Sequence, residues 1–226
     1  MSIANYFRLS LDRQRQLSRT MQLILFGLIF VGLERQSPTI VLNALLGFSI
    51  TFLPAILERD LEIPMNPGLT MWITAAAFLH AIGIVGIPGT NVGLYNAIPF
   101  YDHITHALSA SVVAGVGYAT VRALDQHSDG IDLPPRFMFV FILVFVLAFG
   151  VVWEIVEFSV DVVTTRLGVE MSGFTQHGLN DTLLDLVFNT IGAVIVAIWG
   201  TAYLTDVVDA IEKRIEKREV DVEERQ

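Results

Sequence analysis

Acidic side chains recur at helical spacing within stretches otherwise built from Val, Leu, Ile and Phe. Glu154, Glu157 and Asp161 stand at i, i+3 and i+7; Asp181, Asp185 and Asn189 at i, i+4 and i+8; Asp102 and His106 at i, i+4. On an α-helix each set shares one face. An ionised carboxylate facing hydrocarbon costs about 2.5–3.5 kcal/mol on insertion scales. These acids are therefore expected to face one another, a cation or water inside a helix bundle. Carboxylates with an imidazole and an amide form a borderline-hard ligand set: Mg²⁺ or Mn²⁺ suits the oxygens, and Zn²⁺ fits if His80 or His106 ligates. A bound cation would also let so many close acids remain ionised together. The expected metal ligands are Glu154, Glu157, Asp181 and Asp185. His106, oriented by Asp102, is the expected general acid/base, and His80, Asp161, Gln176 and Asn189 are expected to line the site.

Several of these residues also have a structural reading. Asp102 could be the N-cap of its helix, and Asn180-Asp181-Thr182 is equally a good helix start. His80 fits a ligand or a hydrogen-bonded structural histidine. Asp185 and Asn189 lie too deep for capping to explain them. His127 and His177 fall in connections and receive no role.

The elements that must hold these groups follow from composition. Of 226 residues, 53% are hydrophobic and only 16% charged, and the mean hydropathy is +0.59. Soluble domains average about 25% charged residues, which points here to the multi-pass membrane class. Absence of cysteine excludes disulfides, thiolate metal sites and a cysteine nucleophile. A formal charge of −9 argues against a nucleic-acid partner.

Six apolar stretches have the length and character of membrane helices: Met21–Leu33, Thr39–Leu57, Leu69–Ile87, His103–Val121, Phe137–Thr164 and Thr182–Leu204. Breakers separate them at Pro64, Pro67, Pro88-Gly89, Pro99 and Pro134-Pro135, and Pro54 is placed to kink the second. Residues 1–20, with four arginines among aromatic and leucine side chains, suit a cytoplasmic interfacial segment. Residues 21–204 form the transmembrane domain. Residues 205–226 read as a charged cytoplasmic helical tail, most simply a solvated helix.

The expected architecture is all-α: a six-helix membrane bundle with both termini cytoplasmic. That topology leaves twelve basic residues inside and only Arg35 and Arg166 outside. Trp72, Trp199 and Tyr203 then fall near the inner interface, and Tyr95 and Tyr101 near the outer one. It also carries His80, Asp102, His106, Glu154, Glu157, Asp161, Asp181 and Asp185 to one depth in the outer half, beneath loops containing Asn91 and Thr175-Gln176. Ser111, Gly115 and Ala119, four apart, would let the fourth span approach a neighbour closely.

Leu79-His80-x-x-Gly83, Tyr101-Asp102-x-x-x-His106, Glu154-x-x-Glu157, Thr175-Gln176 and Asp181-Thr182-x-x-Asp185 followed by Gly192 form a recognisable ensemble. On these residues the chain, from about Leu53 to Gly200, resembles the YjdF-like inner-membrane proteins, a family of unknown function. That family usually shows Gly-Asp after the Thr-Gln pair, where this chain has His177-Gly178. A fainter likeness runs to VanZ-like membrane proteins, which also pair an aspartate–histidine helix start with a later Asp-x-x-x-Asn helix. The resemblance implies a multi-pass protein of the cell membrane and supplies no reaction.

Three functional classes remain open. One is a metal-dependent enzyme acting on a lipid or another amphipathic substrate, for which phosphate-binding arginines are scarce. Another is a proton- or cation-coupled transport or accessory protein using the acids as a relay; short length and lack of repeats count against an alternating-access carrier. The third is a structural subunit whose polar cluster fixes helix packing. Oligomeric state is not encoded in any feature recognised in the sequence.

Overall fold

The computed structural model describes residues 9–85, 92–128, 130, 132–168 and 178–223, with the backbone alone at 201–203 and 218–223. The described residues form helices joined by short connections, and none belongs to a β-strand. In chain order the helices are α1 (Leu11–Glu34), α2 (Pro38–Ile50), α3 (Leu53–Leu61), α4 (Pro67–Gly83), α5 (Leu94–Ala97), α6 (Tyr101–His127), α7 (Pro135–Leu167), α8 (Leu179–Tyr203) and α9 (Thr205–Glu223).

Five spans are long and apolar enough to cross a bilayer: α1, α2 with α3, α6, α7 and α8. The sixth, α4, is apolar but only 17 residues long, about 25 Å at 1.5 Å per residue. Its helix ends at Gly83 rather than continuing to Ile87, which lies outside the described residues. Residues 11–20, read as part of an interfacial segment, continue without a break into the first span as α1. Ser10 caps that helix by accepting from the Arg13 N–H at 3.3 Å. The second span is interrupted where proline allows it. Pro54 has no N–H to give the preceding turn, and Thr51 and Phe52 form the joint between α2 and α3.

Spans alternate in direction, so α6 and α8, separated by α7, run parallel. They form the most extensive helix pair of the bundle, and α7 packs against both. On the other side, α1, α2 and α4 pack together, and α4 joins the two groups by packing on α6. Small residues set the closeness of α6 and α8. A Cβ at Gly192 would overlap the Ala107 carbonyl oxygen and stand 3.1 Å from the Ser111 nitrogen. Along the same seam Gly200 faces the Tyr118 ring. Ser111 and Gly115 do more than narrow the helix. Trp72, expected at an interface, turns inward, donates to Ser111 Oγ at 2.9 Å and lays its ring over Gly115.

The apolar core sits toward the end of the bundle where α6 and α8 finish. Ala110, Ala114, Tyr118, Ile142, Val146, Ala193 and Val196 join it from the spans. Leu204, the C-cap of α8, and Val207 and Val208 of α9 join it at that end. The tail is therefore not a freely solvated helix: Val207 and Val208 near its start are buried, and it packs on α6.

Candidate functional site

Parallel packing of α6 and α8 brings their first turns together at one end of the bundle, hereafter the upper end. Neither acid at these helix starts is a cap. The N-caps are Phe100, in the left-handed region at φ 63, and Gly178, at φ 104. Asp102 and Asp181 instead occupy the first turns, where the helix dipole favours negative charge.

One turn further in, Asp185 is only 2% exposed. Its Oδ1 lies 3.3 Å from His103 Nδ1 and 3.9 Å from His106 Nε2. His106 Nε2 is also 3.5 Å from Asp102 Oδ1. Ligand atoms of Asp102, His106 and Asp185 lie within 4.8 Å of one another, an arrangement that a single metal ion could span. The His103 ring is held flat against Phe188, with centroids 4.7 Å apart. Asp185 thus has two imidazoles as partners, with Asp181 and Asn189 one turn to either side of it on α8.

From α7, Glu154 faces the same region and is 5% exposed. Thr182 donates to its Oε2 at 2.9 Å, while its Oε1 is buried without a hydrogen-bond partner. Glu157 accepts from Trp153 Nε1 at 2.9 Å. From α4, His80 is framed by aromatic rings. Tyr95 donates to the His80 carbonyl at 3.1 Å, and its hydroxyl is 3.1 Å from Nδ1. Trp153 meets His80 edge-on, with centroids 6.0 Å apart. Nε2 of His80 is buried without a partner. Tyr101 fixes the α4–α6 junction by donating to the Leu79 carbonyl at 2.7 Å.

The grouping read from spacing thus differs in membership. Asp185 stands with Asp102 and His106, not primarily with Glu154 and Glu157, each of which is engaged by a neutral donor from Thr182 or Trp153. Asp181 lies in the same first turn of α8 but outside the compact group. Asp161, two turns above Glu154, makes no ion pair among the described residues. Asn189 is buried deeper on α8 and packs against Gly150 of α7, where a Cβ would come within 2.8 Å of its Nδ2. Gln176, with Thr175 and Asn91, lies outside the described residues.

Three contributors escaped the spacing argument. His103 is i, i+3 from His106, a spacing that puts both imidazoles on one side of α6. Thr182 and Trp153 were visible within the motifs but not as partners of the two glutamates.

Below this cluster lies a cavity of about 310 Å³. Asn43, His80, His106, Trp153 and Asn189 give it a polar upper end, and Leu53, Ile73, Val113 and Val146 close the lower. His106 belongs to both the cluster and the cavity wall.

Comparisons with known proteins agree with this architecture. Residues 17–206 match the family described as "Predicted membrane protein (DUF2238)". An "Uncharacterized protein" of Thermotoga maritima is 25% identical over 187 residues, which is 82% of this chain and 89% of the relative. No solved structure matches the chain.

Proposed function

The chain belongs to that family of predicted membrane proteins, and on this premise we propose that it is a metal-dependent membrane enzyme acting on a lipid or another amphipathic substrate. We read the YjdF-like resemblance as a likeness within the same family. The observation that carries the functional reading is the convergence of Asp102, His106 and Asp185, within 4.8 Å, from two parallel spans. Two carboxylates and an imidazole suit Zn²⁺ or Mn²⁺, and Mg²⁺ if further oxygens complete the shell. When bound, the ion would supply Lewis acidity or an activated water.

The chain's own groups have distinct tasks in this reading. His106 Nε2 faces both aspartates, so it ligates together with them. His103 Nδ1, beside the Asp185 oxygen, orients that carboxylate as outer partners of metal ligands do. Glu154, fixed by Thr182 through one oxygen and open at the other, is the carboxylate available to take a proton. The basic-residue distribution supports placing both termini in the cytoplasm, the protein in the cell membrane and the cluster toward the outer leaflet.

Metal analysis of the purified full chain after repletion tests the reading. About one divalent ion per chain is expected, lost in Asp185→Asn while the melting transition is retained. A wild type that stays metal-free after repletion rejects it. A structural reading is favoured at one point, the Thr182–Glu154 bond between α8 and α7. It predicts that Glu154→Gln loses folding, whereas the enzymatic reading predicts a folded, inactive protein.

A further inference from the structure

The cavity beneath the cluster has a mouth. Leu46 and Ile50 of α2, Leu53 of α3 and Phe149 of α7 all line it, yet these four are between 36% and 49% exposed. Between α2–α3 and α7 there is no substantial packing, although each packs on other helices. The opening therefore faces sideways, at the depth where a bilayer would present its hydrocarbon. Ile73–His80, His106–Val113 and Val146–Trp153 each line it over seven residues of helix rise, a depth of about 10 Å. Its volume, about 310 Å³, is at the low end of small-molecule pockets. It suits one chain or a small amphiphile better than a whole two-chain lipid.

Its upper end is not satisfied from within. Asn43 is 2% exposed; its Nδ2 donates to the Thr39 carbonyl at 3.0 Å, and its Oδ1 is buried without a partner. His80 Nε2 is likewise buried and unpartnered. The Tyr95 hydroxyl lies 3.1 Å from both the His80 carbonyl oxygen and His80 Nδ1. In either tautomer Nε2 keeps an unused donor or acceptor, and a hydroxyl can serve both roles. Asn43 and His80, each with a buried polar atom that lacks a partner, thus line an apolar chamber open to lipid. Leaving such groups unpaired is costly, and an occupant bringing a hydroxyl removes the cost.

We propose that this cavity binds a lipid with a free hydroxyl, which enters sideways between α2–α3 and α7. Its chain lies among Ile73, Val113 and Val146, and its hydroxyl sits at the Asn43–His80 end. A plain hydrocarbon tail would leave both groups unpaired, whereas a hydroxyl can donate to Asn43 Oδ1 and can serve His80 Nε2 as donor or acceptor. As a statement about substrate, the proposal rests on the enzymatic reading above; as a statement about binding, it does not. His106 in the shared wall puts the hydroxyl end beside the cluster.

Trp153 lines the cavity and reports its occupancy. The full chain in detergent is titrated with an ω-bromoalkanol and with the bromoalkane of equal length, following quenching of tryptophan fluorescence. The titration is run with and without added divalent metal. Saturable quenching is expected, lost in Trp153→Phe, at concentrations on the order of tenfold lower for the alcohol. Asn43→Leu and His80→Phe, each checked for a retained melting transition, are expected to abolish the preference. Equal quenching by both probes, absence of saturation, or an undiminished preference in both variants overturns the proposal. A preference that persists in a protein binding no metal upholds lipid binding while the enzymatic reading falls; metal binding without any preference does the reverse.

Discussion

The seam between α6 and α8 and the gap between α2–α3 and α7 lie beside each other in the same bundle and are built in opposite ways. At the seam, Gly192 lets two backbones nearly touch, and Asp185 is held between His103 and His106. At the gap, large side chains such as Leu46 and Phe149 stand half-exposed around a chamber. Lipid tails are as apolar as leucine, so hydrophobicity alone does not close a helix pair in a membrane. Close packing and polar contacts do. The seam has both and can hold charged groups in fixed geometry. The gap has neither, and so can admit a chain from the bilayer.

Four substitutions break or sharpen this contrast. Gly192→Val strikes the seam where a Cβ meets the Ala107 carbonyl. It should cost about 3 kcal/mol or more and abolish the monodisperse peak in size-exclusion chromatography. A normal peak would mean that the seam yields as readily as the gap. His103→Ala leaves the helix contact but frees the Asp185 carboxylate. Metal affinity measured by calorimetry should fall about ten- to hundredfold, as for other outer partners of ligands. Unchanged affinity would remove His103 from the site.

Thr182→Val deletes the donor to Glu154 on the α7 side of α8. Interhelical hydrogen bonds in membranes average about 0.6 kcal/mol, so a small drop in melting temperature is expected. A drop as large as that of Gly192→Val would make this bond, not the glycine contact, the main fastener. Leu46→Ala, at the mouth, should change stability by no more than about 0.5 kcal/mol and should speed exchange of the bromoalkanol in stopped-flow quenching. Slower exchange would place the entrance elsewhere.

Much of the architecture was legible because a bilayer imposes strong rules on a chain. Six apolar stretches correspond to the spans, and Pro54 falls at the joint where the second divides. The common depth of Asp102, His106, Glu154 and Asp185 follows from alternating direction alone. Partnership was less legible. Spacing puts Asp181 and Asp185 on one face of α8, but which of them meets α6 depends on how that helix is rotated and how far it slides. Gly192 sets both by contact with Ala107 and Ser111. The tail misled for a related reason: charges dominate α9, while three apolar residues near its start, Leu204, Val207 and Val208, are enough to dock it on the core.

Sequence alone determined the class of protein, the number of apolar spans and the level at which polar groups gather, because burial of backbone and charge in hydrocarbon is governed by residue type and run length. Tertiary structure alone decided that His103 joins Asp185, that Glu154 is held by Thr182, and that a chamber stays open beside them. Those outcomes depend on contacts between residues far apart in the chain, and on one pair of helices that does not close. No local pattern carries that information.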